Sequence, residues 1–446
     1  MVSSNILKTV KFANLSRWSV NSTLAQKIKS KYPLVPLSQV MKRIKEPVCV
    51  ENDILYKRIT VRLYGLGVLQ RDELYGKDIG TKKQFIARKG QLIISRIDAR
   101  NGAFGIVPDE LDGAIVTNDF WLFDVKNAIP QYLSLVLSSD FFQQYWESQS
   151  SGTTNRQRVD EDDFLISKIA LPSIAIQEKM VAEYNSRKET AICYEDKIVE
   201  LNNQISTYLL KETQISFETT AFDGLLGAVS YKKLTRWDPQ YLANNVSVVS
   251  DIKLVNMSYV ITNFMVDKGG KSLRINTQNY KDKPFLYIGM ENVEKNSGRV
   301  YPRQILGNEI LSQTICVPSN YVIYGKLRPY LNKYWQNDFD KQDVICSSEF
   351  FVFDTKNIDR QYFMEVLSSQ IIQKQLSFLY SGARMPRINE DDFMGMKLPL
   401  PTIEKQRQIV AGISKIRTHI RELENKIFDC NKIAKVQFEE AVFGEA

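Results

Sequence analysis

Ser151–Lys188 reads SGTTNRQRVDEDDFLISKIALPSIAIQEKMVAEYNSRK, and its plan recurs at Ser381–Lys415. Ser151-Gly152 answers to Ser381-Gly382, and Arg158-Val159-Asp160-Glu161-Asp162-Asp163-Phe164 answers to Arg387-Ile388-Asn389-Glu390-Asp391-Asp392-Phe393. Leu171-Pro172-Ser173-Ile174 matches Leu400-Pro401-Thr402-Ile403, while Gln177 and Val181 match Gln406 and Val410. The copies lie 229 or 230 residues apart, with one slipped residue in the loop. A chain of 446 residues is too long for one core, and half of it falls in the usual domain range. The chain is therefore a duplicated unit.

Outward from this stretch, Leu15-Ser16-Arg17-Trp18 pairs with Leu234-Thr235-Arg236-Trp237, so each copy opens on a tryptophan, read as a packing residue. Between Tyr32 and Phe123, short β-rich runs at Ile59–Leu63, Gly90–Ile97 and Gly113–Phe123 are cut by Gly, Asn and Asp, which predicts a mixed, strand-dominated domain. Leu92–Ile97 lies over Val322–Leu327, and Ile115–Tyr132 over Ile345–Tyr362. Gln131–Tyr145 and Gln361–Tyr380 carry apolar residues at helical spacing. Val48–Gly80 and Val260–Gly307 show little mutual similarity, so the halves share a frame but differ inside it.

After Pro172 and Pro401 the period changes. Ala191, Tyr194, Ile198, Leu201, Ile205, Tyr208 and Ile215 take a and d positions of a heptad, as do Ile413, Ile416, Ile420, Leu423, Ile427, Cys430 and Ala434. That repeat predicts long helices paired along a narrow seam, with Ser173 and Thr402 able to cap their starts. Phe217-Glu218-Thr219-Thr220-Ala221-Phe222 matches Phe438-Glu439-Glu440-Ala441-Val442-Phe443, which predicts a second helix about eight residues shorter than the first. A helix of about 40 residues is roughly 60 Å long. The order domain, helix, domain, helix predicts an α+β protein with two pseudo-two-fold-related mixed α/β domains, separated by two long antiparallel coiled-coil helices. The expected boundaries are 1–170, 171–226, 227–399 and 400–446.

The 59 Lys and Arg against 51 Asp and Glu give a net charge of +8, which suits a polyanionic partner. Five widely spaced cysteines without a C-x-x-C pair, together with a single histidine, His419, leave no zinc site of the usual kind. The start MVSSNILKTVKF lacks a signal-type apolar core, and no run reaches the length of a membrane span, so the expected compartment is the reducing cytoplasm.

Duplicated domains with diverged interiors on a fixed spacer suit the reading of two targets at a set distance. Lys82, Lys83, Arg88, Arg96 and Arg100 punctuate the first domain, while Lys326, Arg328 and Lys333 interleave with Tyr324, Tyr330 and Tyr334 in the second. Such cations neutralise phosphates, and Arg also reads guanine edges. The loops Ser151-Gly152-Thr153-Thr154-Asn155-Arg156-Gln157-Arg158 and Ser381-Gly382-Ala383-Arg384-Met385-Pro386-Arg387 combine a permissive glycine with hydroxyl, amide and guanidinium donors, as a phosphate clamp needs.

Enzyme signatures fare worse. Asp238-Pro239-Gln240-Tyr241 has the wrong third residue for the D-P-P-Y of adenine methyltransferases, and Gly65-Leu66-Gly67 lacks the third glycine of a dinucleotide loop. Pro108-Asp109 with Asp124-Val125-Lys126 satisfies the loose PD…(D/E)xK nuclease pattern. Its second part recurs at Asp354-Thr355-Lys356, whereas Asp338 and Phe339 face Pro108 and Asp109, so the shared D-x-K reads as framework.

These residues resemble the specificity subunit of type I restriction-modification systems, over essentially the whole chain. The resemblance rests on LPSIAIQEK at Leu171–Lys179 and LPLPTIEKQRQIV at Leu398–Val410, each followed by a heptad helix. The second is the closer to the family's proline-then-EQ helix start; in the first, Ala175-Ile176 stand where the second has Glu404-Lys405. The resemblance implies two target-recognition domains, each reading one half of a split, asymmetric site in double-stranded DNA. It implies helices that dock two adenine-N6 methyltransferase subunits, with motor-nuclease subunits joining for cleavage. S-adenosylmethionine would sit on the methyltransferase partners, ATP and Mg²⁺ on the motor subunits, and neither cofactor nor catalysis on this chain. The two rivals are a stand-alone enzyme of the PD-(D/E)xK kind and the recognition subunit of a related phage-defence methylation system without a restriction motor.

Overall fold

Strands that are apolar on both faces need a cover on each side, and this requirement builds each domain. The computed structural model describes residues 30–63, 65, 67–99, 102–143, 161–219, 246–339, 343–377, 379–380 and 385–444. The chain divides into two compact units, one of Met1–Glu195 with Glu424–Ala446 and the other of Asp196–Leu423. Trp18 and Trp237 lie outside the described residues.

In the first unit a four-stranded sheet has the order Met41–Ile44, Phe120–Val125, Leu92–Ser95, Phe104–Ile106. Side chains alternate along a strand. Leu92, Ile94, Trp121 and Phe123 therefore point to a helical layer carrying Tyr132, Leu133, Val136 and Leu137. Ile93 and Leu122 point the other way, onto Ile59, Val61, Val68 and Val116 of a second sheet. That outer sheet has five strands, in the order Pro47–Cys49, Lys83–Ile86, Ile115–Val116, Leu55–Val61, Val68–Tyr75.

The second unit repeats this plan. Its inner sheet runs Ile261–Thr262, Phe350–Thr355, Val322–Gly325, Tyr334–Gln336, and its outer sheet Arg274–Ile275, Thr314–Cys316, Val344–Ser347, Pro284–Ile288, Arg303–Leu306. Val322, Tyr324, Phe351 and Phe353 face the helices, while Ile323 and Val352 face the outer sheet. In both outer sheets the same central pair is parallel, Arg58 with Ile115 and Leu286–Ile288 with Val344–Cys346. The segments Val48–Gly80 and Val260–Gly307, dissimilar in sequence, thus supply equivalent strands.

A long helix leaves each domain through the same joint. The side chain of Gln177, fully buried, accepts from the Ile129 N–H (2.8 Å) and donates to the Pro172 carbonyl (2.8 Å). Gln406 accepts from the Asp359 N–H (2.7 Å) and donates to the Pro401 carbonyl (2.9 Å). Beside each joint a buried tyrosine hydroxyl donates to a strand carbonyl, Tyr132 to Ala170 (2.8 Å) and Tyr362 to Pro399 (3.0 Å).

The helices Ile174–Glu212 and Ile403–Phe443 are 39 and 41 residues long. The expectation of a shorter second helix is corrected. The first helix ends where Gln214 turns left-handed (φ 51°), and Ser216–Thr219 then pairs with Val246–Val249. The matching Phe438–Phe443 holds two glutamates and an alanine, good helix formers, and stays helical. Within each unit the helices run antiparallel. In the second unit Glu212 meets Lys405, Tyr208 lies against Gly412, and Asn202 meets Arg417. In the first, Lys188 donates to Asn431 (2.7 Å) and Tyr184 abuts Phe438. Phe438 and Val442 also enter the first domain's core, and Phe443 stacks on Phe141 at 4.6 Å.

Gln177→Met or Gln406→Met should strand one buried N–H and one buried carbonyl while keeping the side-chain bulk. Each is expected to cost about 2–4 kcal/mol, read as an earlier urea unfolding midpoint of the unit concerned. An unchanged midpoint would show that these two bonds do not contribute to the stability of that unit.

Candidate nucleic-acid interface

The inner-sheet strands Leu92–Ser95 and Val322–Gly325 end at the same kind of place. The next residue, Arg96 or Lys326, is anchored by its N–H to the carbonyl of Asp119 or Glu349 (2.8 Å each). Its cation lies 5.4 Å from the centre of a neighbouring ring, Trp121 for Arg96 and Phe351 for Lys326. Such contacts contribute about 0.5–2 kcal/mol and hold a flexible cation in one direction. Burial lowers the Lys326 pKa, against the pull of the Glu349 carboxylate.

In the second unit the chain beyond Lys326 forms a locked tip. Arg328 adopts a left-handed backbone (φ 49°, ψ 58°) directly before Pro329. This conformation costs a residue with a Cβ roughly 1–2 kcal/mol. Four bonds hold it. The Arg328 N–H donates to the Pro386 carbonyl (2.7 Å), Ile388 N–H to the Lys326 carbonyl (3.2 Å), and Leu331 N–H to the Arg328 carbonyl (2.9 Å). The Asn332 side chain donates to the Ser368 carbonyl (2.8 Å). Met385–Ile388 is thereby laid along Lys326–Arg328, so the structure brings Lys326, Arg328, Tyr330 and Arg387 together from stretches 60 residues apart in the chain. Tyr330 is 46% exposed, with its ring 5.8 Å from that of Tyr380.

The other cations divide by partner. Arg387 forks Glu349 with two bonds (2.9 and 2.8 Å). Arg88 forks Glu46 in the same way. Lys82 donates to Asn52 and to the Gly76 carbonyl, tying a turn of the outer sheet, where Lys83 is exposed. Lys333 donates to the Met290 carbonyl, and burial lowers its pKa. Arg100, Ser151, Gly152, Thr153, Thr154, Asn155, Arg156, Arg158, Ser381, Gly382 and Arg384 lie outside the described residues.

Arg43 belongs to the first unit's site and was missed in the sequence. Its guanidinium lies over Trp121 (5.8 Å) and Phe123 (5.5 Å), donates to the Phe120 carbonyl (3.3 Å), and approaches Glu161 at 3.8 Å. Burial brings its pKa down to about 10, opposed by Glu161 and assisted by the Arg96 charge. No local signal in the sequence marks it, because its place opposite Phe123 is set by a long-range strand pairing.

The nuclease-like carboxylates are engaged in the frame. Asp124 accepts from Gln91 (2.9 Å) and Asp354 from Arg360 (2.7 Å). The N–H groups of Lys126 and Lys356 donate to Val40 and Val260, and left-handed Asn127 and Asn357 follow. Among the described residues, no group of three or more His, Cys, Asp or Glu is placed to hold a metal ion, and no helix is long and apolar enough to cross a membrane.

Glu349 offers a direct check of the second tip. Arg387 holds its carboxyl below the usual range, with burial opposing. A depressed folded pKa gives stability that is present above the unfolded value, roughly 4.3, and is lost as pH falls through the lower folded value. An NMR titration of Glu349 should therefore show a midpoint below about 4.3, and Arg387→Ala should raise it. An unmoved midpoint would mean the fork does not persist in solution.

A family model described as type I restriction modification DNA specificity domain matches residues 35–183 and 261–429, one match falling on each domain and reaching into the long helix that follows it. The MjaVIII type I restriction enzyme specificity subunit of Methanocaldococcus jannaschii is 23% identical over 306 residues, covering 68% of this chain and 67% of that one. The EcoDI type I restriction enzyme specificity subunit of Escherichia coli is 24% identical over 152 residues, 34% of this chain and 33% of its own. A solved structure described as the structural basis underlying complex assembly and conformational transition of the type I R-M system covers 94% of this chain and 100% of its own, with 14% identity and a TM-score of 0.51, a likeness of fold. With the family's domain matched twice over most of its length, the chain belongs to the type I restriction-modification DNA specificity subunits.

Proposed function

We propose that the two domains read the two halves of a split, asymmetric site in double-stranded DNA, one half each. The observation that carries this reading is the repeated strand end. One frame presents Arg96 with Arg43 on Trp121 in one unit, and Lys326 with the Arg328 tip on Phe351 in the other. Equivalent backbones carrying unlike cations suit two different half-sites. Phosphate contacts from such residues position a protein, and base-edge contacts specify the sequence. The basic loops 151–158 and 381–387 are assigned to the same task, on their composition.

The long helices, on this reading, dock two adenine-N6 methyltransferase subunits and fix the spacing of the half-sites, and motor-nuclease subunits join for cleavage. S-adenosylmethionine belongs to the methyltransferases, ATP and Mg²⁺ to the motor. This chain supplies recognition alone. The guanidinium, ammonium and aromatic groups described at its tips are suited to binding and orienting nucleic acid.

The test is to combine the chain with its methyltransferase subunits and S-adenosylmethionine on mixed-sequence DNA, then map the methylated adenines. The expected result is one bipartite motif with an unspecified spacer, and no transfer by the chain alone. Methylation or cleavage by the isolated chain, or a continuous motif, would refute the proposal.

A further inference from the structure

Among the described residues, four cations named above can be compared at the second unit's tip. Arg387 is occupied by its fork with Glu349, Lys333 is turned inward onto the Met290 carbonyl, and Lys326 is half-buried over Phe351. Arg328 is exposed and engages no side chain among the described residues. Its backbone is the anomaly. Most other left-handed non-glycine positions in the described chain are asparagines, which tolerate that region, whereas Arg328 is a long cation held there immediately before a proline. Bonds on both sides fix it: its N–H donates to the Pro386 carbonyl, and its carbonyl accepts from the Leu331 N–H. Strain that the surroundings over-determine is a feature of ligand clamps.

A phosphate contact needs less of this, because phosphates line the whole duplex and a cation on a mobile side chain can reach one in many ways. A base edge does need it: the planar guanidinium must meet O6 and N7 of guanine together, in one orientation. We propose that Arg328 is a specificity-determining residue, projected from a fixed backbone to read one guanine in the major groove of the half-site taken by the second domain. This rests on the split-site reading above and deepens it.

The experiment uses the full chain with both methyltransferase subunits, carrying Arg328→Lys, Arg328→Ala or Arg328→Gly. Methylated motifs, the thermal midpoint of the chain and the salt dependence of DNA binding are recorded for each. Discrimination at a single G·C pair of one half-site should fall about tenfold or more in all three variants, with every other position retained. Lysine keeps the charge but loses the planar fork, so it should restore little of the discrimination. Arg328→Gly should lose the same discrimination while its thermal midpoint holds or rises, since glycine adopts the left-handed backbone freely. A uniform loss over all positions, rescued by lysine and with the log–log salt slope smaller by about 0.9, would make Arg328 a phosphate contact and overturn the inference. So would unaltered motifs in all three variants. If the wild-type complex itself yields no bipartite motif, the split-site reading falls and this inference with it.

Discussion

One buried glutamine ties each long helix to its domain, and the geometry of the whole chain passes through that tie. A helix that starts inside a core leaves backbone donors and the preceding carbonyl without water, and an unmet buried group is costly. Gln177 and Gln406 meet the need with one amide, accepting from the N–H at the start of the neighbouring short helix and donating to the proline carbonyl just before their own. A planar amide with both ends occupied has no rotational freedom left. The direction in which each helix leaves is therefore set by the same two bonds in both copies.

The frame behind the joint is held equally firmly, and this lets the rims differ. Tyr132 and Tyr362, the left-handed asparagines 127 and 357, and the backbone anchors of Arg96 and Lys326 all coincide between copies. What changes lies at the ends of strands, where a side chain meets solvent on one side and a buried ring on the other. Trp121 carries two guanidiniums, and Phe351 carries one ammonium beside a strained arginine. Substitution at such positions alters what is presented without disturbing the core, which suits the proposed reading of two unlike half-sites.

The cations also show why charge alone is a poor guide to an interface. Arg88 and Arg387 have the same surroundings in sequence as their neighbours, yet each is committed to a carboxylate, while burial lowers the pKa of Arg43 and of two lysines. A guanidinium brought down to about 10 remains charged at neutral pH, so Arg43 keeps its charge inside a largely apolar wall.

The amino-acid sequence by itself determined the duplication, the heptad seams, the glutamines at the joints and the matched positions of Arg96 and Lys326. These are signals carried by short runs or by the chain's likeness to itself. The seam residues from Ala191 to Tyr208 and from Ile413 to Ala434 are indeed buried or half-buried, because a heptad fixes a face wherever a helix forms, whereas Ile215 is buried beyond the end of the first helix. Only the tertiary structure decided the rest. The outer sheets match strand for strand although Val48–Gly80 and Val260–Gly307 do not, since burial on one face constrains hydrophobicity at alternate positions and little else. The end of the first helix depended on a strand partner at Val246–Val249, and the state of each cation on a carboxylate or ring tens of residues away, 42 for Arg88 and 38 for Arg387. Local periodicity is written in neighbouring residues, whereas a charge finds its partner only when the chain has folded and distant strands have come within bonding distance.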